Sequence, residues 1–220
     1  MKLNYDKEME KKSVHIIVPC LSMTFPENAI CIIKGIDFLK EKGYKVELSY
    51  HLHESLISRG RCVIAHKFMN DNKLYDYLMC IDSDLLFEED AIYKLIQHDK
   101  LVVGANYHHK IDTAERWAGI PKNGYEALAE ATFLPTGFML VKREAFSKLI
   151  EFKGKNKKFN LDYFNTGEFK EVWGYYIPYI NDKKMYLSED WAFTQRLHDA
   201  GIHTYMDNLI QLGHIGKKVF

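Results

Sequence analysis

The segment Met79-Cys80-Ile81-Asp82-Ser83-Asp84-Leu85 joins an apolar run to two carboxylates that are separated by a single residue. The run from Tyr77 to Ile81 predicts a strand buried on both faces, because short and nearly continuous apolar runs are typical of parallel sheets. In α/β proteins, ligands bind at the carboxyl ends of such strands. The segment therefore predicts an α/β fold and places two acidic side chains where that fold binds its ligands.

Strands and helices alternate on both sides of this segment. Val14 to Val18, ended by Pro19, and Tyr44 to Tyr50 are predicted strands before it, and Leu101 to Asn106 is a predicted strand after it. Three helices separate these strands: Pro26 to the stop at Gly43, Ser58 to about Asn70, and Glu88 to His98 with an acidic first turn. This alternation predicts the α/β class with a mostly parallel sheet.

The second half of the chain has a less regular pattern. Residues 107–130 lack clean periodicity and are predicted to be a long functional loop with short elements. Residues 152–186 are rich in Lys, Asn, Gly and Tyr and are predicted to be a mobile excursion over a site. The remaining elements are a strand over 138–141, helices over 143–151 and 189–200, and a short strand over 203–206. One domain is expected over residues 1–220, with 1–12 as a flexible N-terminus.

The composition excludes several classes of protein. With 47% hydrophobic and 27% charged residues, the chain is an ordinary globular one. Thirty Lys and Arg balance thirty Asp and Glu, so broad electrostatic binding to nucleic acid or to an anionic membrane is not expected. No apolar run approaches the ~18–20 residues that span a bilayer, and the charged segment from Lys2 to Lys12 does not resemble a signal peptide.

Four cysteines lie at positions 20, 31, 62 and 80, and they form no Cys-x-x-Cys pair. Their neighbours are apolar, which favours buried free thiols over zinc ligands or disulfides. Free thiols are typical of a reducing compartment, so a cytoplasmic location is expected.

Asp82 and Asp84 are the leading candidates for a metal site. Residues i and i+2 of a strand point to the same side, so both carboxylates are expected to converge on one cation. A hard cation held by few carboxylates and several waters is suited to bridging phosphate oxygens. The alternative is a helix cap, with Ser83 or Asp84 beginning the helix predicted from Glu88.

Two later segments offer further acidic and imidazole groups. In Ser188-Glu189-Asp190, the acids either suit the dipole at a helix start or supply a general base that projects into a cleft. In Leu212-Gly213-His214-Ile215-Gly216, the histidine is either a surface residue or a third metal ligand. An imidazole beside two carboxylates suits Mn²⁺ better than Mg²⁺.

Basic and glycine-containing segments point to an anionic ligand. Arg59 and Arg61 lie near a helix start and suit a diphosphate or the face of a base, or form a solvated helix surface. Gly137, after Thr136, lets the backbone approach a ligand closely, or forms a turn before a strand. Trp117 and Trp173 are candidates for stacking on sugar rings, with core positions as the alternative.

Taken in chain order, these segments resemble a known family. Over about residues 13–216 the chain is similar to GT-A fold glycosyltransferases, of the small kind found in large DNA viruses, phages and bacteria. The resemblance is carried by the order of Arg59 and Arg61, Asp82-Ser83-Asp84, Thr136-Gly137, Ser188-Glu189-Asp190 and His214. It implies a Rossmann-like three-layer αβα sandwich. It also implies a hexosyl- or deoxyhexosyltransferase that moves a sugar from a nucleotide-diphosphate donor to a glycan or glycoprotein hydroxyl, with inversion. UDP-glucose is the default donor, and other UDP-hexoses or a deoxyhexose such as rhamnose are the alternatives.

The resemblance also implies roles for individual residues. Asp84, assisted by Asp82, and His214 would hold Mn²⁺ or Mg²⁺ across the donor phosphates, unless Asp82 contacts the ribose or sugar instead. Asp190, with Glu189 as its neighbour, would be the base that deprotonates the acceptor hydroxyl. The other implied donor-site residues are Pro19, Cys20, Leu21 and Ser22 at the nucleoside, Arg59 and Arg61 near the base or phosphates, Ser83, and Thr136 and Gly137 beside the donor sugar or acceptor.

Two other function classes remain open. A nucleotidyltransferase shares the sheet, the metal and the nucleotide, but such enzymes place a glycine-rich phosphate loop after the first strand. The segment from Pro19 to Thr24 contains no glycine. A non-catalytic nucleotide-sugar-binding module is the other class. The joint presence of four residues argues against it: Asp82, Asp84, Asp190 and His214. The viral members of the family extend the expected cytoplasmic location to a virus-encoded protein acting in a host cell.

Overall fold

The computed structural model describes residues 12–21, 24–70, 75–110, 117–124, 126–152, 157–160 and 171–216. Its helices are α1 (Pro26–Glu41), α2 (Ile57–Asn70), α3 (Ala91–Gln97), α4 (Arg143–Phe152) and α5 (Glu189–Asp199). Its strands are β1 (Ser13–Cys20), β2 (Lys45–Leu52), β3 (Tyr77–Ile81), β4 (Leu85–Leu86), β5 (Val102–Ala105), β6 (Ile120–Pro121), β7 (Leu128–Phe133), β8 (Phe138–Lys142), β9 (Lys158–Asn160), β10 (Glu171–Trp173), β11 (Tyr179–Ile180), β12 (Tyr186–Leu187), β13 (Thr204–Asp207) and β14 (Gly213–His214). Ser22 and all but the last residue of the predicted flexible N-terminus lie outside the described residues.

Within these residues, eight strands form the main sheet in the order β2-β1-β3-β8-β5-β13-β7-β6. Strands β8 and β7 run opposite to the other six, which share one direction. Strand β3, which carries the acidic segment at its carboxyl end, lies between β1 and β8. The predicted α/β fold with a mostly parallel central sheet is confirmed.

Helices cover both faces of this sheet and give the three layers that the resemblance implied. Strand β3 serves both faces: Leu78 and Cys80 pack in the layer of α2, α4 and α5, whereas Met79 and Ile81 pack in the layer of α1 and α3. These side chains are at most 2% exposed. Burial of each large apolar one stabilises the fold by about 1.5–3 kcal/mol. Two-sided burial explains why the strand carries no polar residue before its end.

Two boundaries predicted near the sheet are wrong. Strand β1 continues through Pro19 to Cys20. Its pairing with β3 ends at Ile17, and a proline is tolerated where a strand has a partner on one side only. Helix α3 begins at Ala91, so Glu88 precedes the helix and its first turn has no acid. The alternative in which the acidic segment caps this helix therefore fails as well.

The second half of the chain is more regular than its sequence pattern predicts. Strand β7 begins at Leu128, inside the segment 107–130 that was expected to be a long loop with short elements, and runs on to Phe133, with Ala129 and Ala131 at alternate buried positions. Small alanines give a weak hydrophobic signal, which explains the miss. Tyr175 and Tyr176 are at most 1% exposed within the core. This part of the expected mobile excursion is therefore core.

All four cysteines are free thiols; three are buried and Cys31 is half-buried. Burial raises the pKa of Cys62 and of Cys80 to about 11, which keeps both thiols protonated and poorly nucleophilic. Among the helices that the structure describes, none combines the length and the apolar character needed to cross a bilayer.

Candidate active site

The carboxyl end of β3 leads directly into a tight turn over residues 82–84. The Asp82 amide donates to the Gly137 carbonyl at 2.8 Å, and the Leu85 amide donates back to the Asp82 carbonyl at 3.2 Å. Strand β3 ends one residue before this turn, so strand alternation no longer governs the direction of the two carboxylates. The carboxylates of Asp82 and Asp84 therefore contact different partners, in contrast to the expectation that both converge on one cation.

Asp82 is held by Arg61 of α2. Nη2 of the guanidinium donates to Asp82 Oδ1 at 2.7 Å, and Nη1 donates to the Thr136 carbonyl at 3.4 Å. The Arg61 side chain is 3% exposed and that of Asp82 is 30% exposed. Burial lowers the pKa of Arg61, but the charges of Asp82, Cys80 and Glu189 and the hydrogen bond to Asp82 together outweigh it, and the net shift is upward. A buried arginine with two anchors is fixed in place, and it joins two of the predicted segments at one point.

Asp84 lies between a lysine and a histidine. Its Oδ2 is 2.5 Å from the Lys110 ammonium, and its Oδ1 is 3.7 Å from His214 Nε2. His214 Nδ1 donates to the His108 carbonyl at 2.8 Å, which fixes the orientation of the ring. Burial raises the pKa of Asp84, but the contacts with His214 and Lys110 and the charges of both outweigh burial and lower that pKa to about 2. Asp84 is therefore a carboxylate near neutral pH.

The start of α5 presents the second acidic pair. Ser188 occupies the N-cap position, but its hydroxyl donates to Asp190 Oδ1 and does not cap a backbone amide. The Trp191 amide donates to the same Asp190 oxygen at 2.8 Å. No described residue donates a hydrogen bond to Asp190 Oδ2. One oxygen of this carboxylate is thus held by the protein, and the other is left to accept a proton.

Glu189 connects the start of α5 to the turn after β3. Burial raises the pKa of Glu189, the charges of Asp190 and Asp82 raise it further, and the charge of Arg61 lowers it. Charges shift a pKa appreciably only when they lie close to the titrating group. The two acidic segments, far apart in sequence, therefore share one electrostatic environment around Arg61.

Close packing around the turn explains the glycine at position 137. A Cβ atom on Gly137 would lie 2.5 Å from Tyr107 Oη and 2.8 Å from Asp82 Oδ2. Burial raises the pKa of Tyr107 well above its ordinary value, and the charges of Asp82 and Asp190 raise it further. Tyr107 is therefore a neutral phenol between the two acidic segments. The close approach predicted at Gly137 is made by protein side chains.

Two predicted nucleotide-binding elements lie apart from these contacts. Arg59 forms a two-bond ion pair with Glu54, with Nε and Nη2 at 2.7 and 2.9 Å from its carboxylate oxygens. Cys20 is buried at the end of β1, and Leu21 beyond it is 59% exposed. Ser22 lies outside the described residues. The structure thus brings Arg61 to the acidic turn and directs Arg59 to a different partner.

Residues that the sequence pattern did not single out hold the turn in place. Asn28 of α1 is fully buried, and its side-chain amide donates to the Leu85 carbonyl at 2.6 Å and to the Asp82 carbonyl at 3.2 Å. The Thr24 hydroxyl donates to the Ser83 carbonyl at 3.3 Å. A polar residue on the buried stripe of α1 is the signal that could have identified Asn28 from the sequence.

An aromatic pair borders Asp84 and its histidine. The rings of His108 and Trp117 lie 3.8 Å apart between centroids, and Trp117 is 40% exposed. The carbonyl of His108 is the group that holds His214, so the pair lies directly beside the acidic turn. This position agrees with the stacking on a sugar ring that was predicted for Trp117.

The donors present decide whether the site suits a divalent cation. Among the described residues, no group of three His, Cys, Asp or Glu side chains comes together as a metal site. Asp84 and His214 supply a carboxylate oxygen and an imidazole nitrogen side by side, while Asp82 Oδ1 is committed to Arg61. Two protein ligands fit a cation such as Mn²⁺ or Mg²⁺ whose other positions are filled by diphosphate and water oxygens.

No protein-family model matches the chain, and no curated protein matches it. Solved structures, in contrast, do match this chain. A197 from STIV aligns over 94% of this chain and 86% of its own, with 16% identity and a TM-score of 0.50. A mutant Drosophila β-1,4-galactosyltransferase 7 in complex with manganese, UDP-Gal and xylobiose aligns over 92% and 71%, with 19% identity and a TM-score of 0.47. A glycosyltransferase involved in glycosylation of the major capsid of PBCV-1 aligns over 60% and 62%, with 12% identity and a TM-score of 0.34.

At such identities a likeness shows a fold and not an activity. The alignment with A197 extends over most of both chains, and the described sheet with its two helix layers agrees with the sequence expectation. The protein therefore has a GT-A-like, Rossmann-type α/β fold, as the resemblance in its sequence implied.

Proposed function

We propose that the protein is a metal-dependent glycosyltransferase that moves a sugar from a nucleotide-diphosphate donor to an acceptor hydroxyl of a glycan or glycoprotein, with inversion. The proposed donor is a UDP-sugar such as UDP-glucose. One observation carries the proposal: the acidic turn after β3 and the acidic start of α5 gather around the same buried Arg61. A cation site beside a carboxylate with a free oxygen is what such a transfer requires.

Donor binding is assigned to the turn after β3 and its neighbours. Asp84 and His214 would hold the cation, which when bound stabilises negative charge on the leaving diphosphate. Asp82 Oδ2 receives no hydrogen bond from a described residue and would accept one from the ribose or the donor sugar. Arg61 holds Asp82 in the orientation that this contact needs. Trp117, beside His108, would stack on a sugar ring.

The remaining donor contacts extend the proposal to other predicted residues. The nucleoside would lie against the end of β1, where Pro19, Cys20, Leu21 and Ser22 follow one another. Arg59 would break its ion pair with Glu54 and contact the nucleobase or the phosphates. Thr136 and Gly137 would line the side of the site that holds the sugar or the acceptor. Residues 1–220 would act as one domain in a reducing, cytoplasmic compartment, which suits the four free thiols.

The acceptor step is assigned to Asp190. An acceptor hydroxyl is a weak nucleophile, so a carboxylate base assists it. Ser188 and the Trp191 amide hold Asp190 Oδ1 and leave Oδ2 to take the proton. As the hydroxyl proton passes to Oδ2, the acceptor oxygen bonds to the anomeric carbon and the bond from that carbon to the diphosphate breaks. Glu189 is the neighbouring acid, and burial together with the charge of Asp190 raises its pKa.

A thermal-shift panel of UDP-, GDP- and dTDP-sugars, each with and without Mn²⁺, tests the proposal. A ligand that binds only the native state stabilises it by about 2.7 kcal/mol at a hundred times its Kd. We expect a UDP-sugar to raise the Tm in the presence of Mn²⁺, and Asp84→Ala to remove that rise. The proposal fails if no nucleotide sugar raises the Tm, or if the rise survives Asp84→Ala.

A further inference from the structure

Each carboxylate of the acidic turn forms an ion pair with a basic side chain, but the two basic side chains differ in exposure and in the number of contacts that hold them. Arg61 is 3% exposed and has a second anchor on the Thr136 carbonyl. The Lys110 side chain is 37% exposed, and no other described residue bonds its ammonium. The Arg61–Asp82 pair is therefore fixed, whereas the Lys110–Asp84 pair is open to exchange.

We propose that Lys110 is the exchangeable cation of the donor site: it neutralises Asp84 in the free protein, yields that carboxylate to a divalent cation, and then pairs with the donor diphosphate. This inference rests on the proposed function for the identity of the donor. Its first half, the competition between Lys110 and a divalent cation for Asp84, concerns the free protein alone.

The competition follows from the position of the ammonium. Lys110 Nζ lies 2.5 Å from Asp84 Oδ2, so it occupies one of the directions from which a cation would approach this carboxylate. His214 Nε2, at 3.7 Å from the other oxygen, faces the same carboxylate. A divalent cation held by Asp84 and His214 therefore meets the ammonium charge on the same carboxylate, and this repulsion favours release of the ammonium and weakens binding of the bare cation.

The second half of the proposal follows from where the displaced ammonium can go. The Lys110 side chain lies against the chain at Gly216, where an added Cβ would be 3.7 Å from Lys110 Cδ. The aliphatic stem can keep this contact while the terminal group rotates. Lysine presents a compact charge on a flexible stem and is well suited to phosphate oxygens. Because a diphosphate that reaches the cation also lies within reach of Lys110, the displaced charge gains a new partner.

Two titrations by calorimetry with opposite expected signs test the proposal. The variant is Lys110→Gln, which removes the charge and keeps a polar, shorter side chain. The matched control is Lys122→Gln, because Lys122 is also an exposed lysine paired with a carboxylate, at 2.9 Å from Glu130. In the first titration Mn²⁺ alone is added to nucleotide-free protein. We expect Lys110→Gln to bind Mn²⁺ about two- to fivefold more tightly than the wild type, as loss of one exposed ion pair allows.

In the second titration UDP is added to protein saturated with Mn²⁺. We expect Lys110→Gln to bind UDP about tenfold more weakly, because a charge-assisted contact to the diphosphate is lost. Lys122→Gln should match the wild type in both titrations. Tighter Mn²⁺ binding together with weaker UDP binding supports the exchange.

Other outcomes overturn it in distinguishable ways. If Lys110→Gln binds Mn²⁺ no more tightly than the wild type, or if neither protein binds Mn²⁺, Lys110 does not compete for Asp84 and the proposal is wrong. If Mn²⁺ binding tightens but UDP affinity is unchanged, the diphosphate contact is wrong. If the wild type binds Mn²⁺ but binds no UDP at all, the proposed function fails, and the Mn²⁺ titration still decides the competition.

Discussion

Asn28 and Arg61 hold Asp82 from opposite faces of the sheet. The Asn28 amide, in the layer of α1, donates to the Asp82 backbone carbonyl at 3.2 Å. The Arg61 guanidinium, on the side of α2, donates to the Asp82 carboxylate at 2.7 Å. The backbone and the carboxylate of one residue are thus fixed independently, so a change in either helix layer alters the acidic turn.

Asn28→Ala should destabilise the protein by about 2–3 kcal/mol. The variant leaves the buried Leu85 and Asp82 carbonyls without their side-chain donor, and a buried polar group that loses its partner costs about 1–3 kcal/mol. Urea denaturation gives the free energy of unfolding. The control is Asn208→Ala, because Asn208 also donates to a carbonyl, that of Glu126 at 2.6 Å, but at an exposed site. Equal losses in the two variants would refute a special role for Asn28.

Arg61→Met should cost about 3–5 kcal/mol, because breaking a buried ion pair strands the remaining charge. The double variant Arg61→Met, Asp82→Asn removes that charge and should recover part of the lost stability, since the Asp82 side chain is largely buried. Both variants should lose UDP binding in the presence of Mn²⁺. Urea denaturation and UDP calorimetry are the measurements. If the double variant is no more stable than Arg61→Met alone, the pair is not the source of the loss.

Gly137→Ala should raise the KM for the donor at least tenfold. The new Cβ would lie 2.5 Å from Tyr107 Oη and 2.8 Å from Asp82 Oδ2, so one of these groups has to move. Overpacking of this kind also costs about 1–3 kcal/mol of stability. Gly216→Ala is the control, because its Cβ would meet nothing nearer than 3.7 Å. A Gly137→Ala enzyme with an ordinary donor KM would show that the Asp82 carboxylate does not touch the donor.

Asp190→Asn should lower kcat about 10²–10⁴-fold, the range that a positioned base contributes. Asparagine can still accept the hydrogen bonds from Ser188 and the Trp191 amide, so the helix start should keep its shape. UDP affinity should stay at the wild-type value. Asp199→Asn, at the other end of the same helix, serves as the control for general effects on α5. Normal transfer by Asp190→Asn would remove this residue from the mechanism.

Glu189→Gln should change how stability depends on pH. Burial and the charge of Asp190 raise the pKa of Glu189 in the folded state above its ordinary value of 4.5. The folded protein then holds this proton more tightly than the unfolded chain does. The stability that Glu189 contributes is complete below the unfolded-state pKa and is lost as pH rises through the folded-state pKa. Urea denaturation should show Glu189→Gln to be more stable than the wild type at pH 8, with the difference vanishing near pH 4. An equal difference at both pH values would contradict the raised pKa.

The sequence predicts the parts of this molecule that depend on local pattern. The buried run before Asp82 predicts β3, and the alternation around it predicts the α/β class, because hydrophobic periodicity is a local signal. The burial pattern of β7 escapes prediction because two of its three inward residues, Ala129 and Ala131, are small. Pro19 ends a strand by local rules, yet β1 passes through it because its neighbour on that side has already stopped.

The contacts within the candidate site depend on residues far apart in sequence. Motif spacing selects Asp84 and His214, and the structure brings them together. The same spacing gives no reason to choose Arg61 over Arg59 as the partner of Asp82, since both occupy the same turn of α2. Lys110 has no motif of its own and becomes part of the site only through the path of the chain after β5. Such partners follow from tertiary structure, where local rules carry no information.

The antiparallel strand β8, between β3 and β5, has a consequence for synthesis. Synthesis starts at the N-terminus, so β3 and β5 are both complete once Ala105 is made. Strand β8, which pairs with both of them, begins only at Phe138. At ~5–20 residues per second, this gap lasts a few seconds. During that interval two apolar strands have no neighbour between them, and unpaired edges of this kind are prone to aggregate. The chain is therefore open to misfolding during the interval before β8 is made, well before His214 is added to the site.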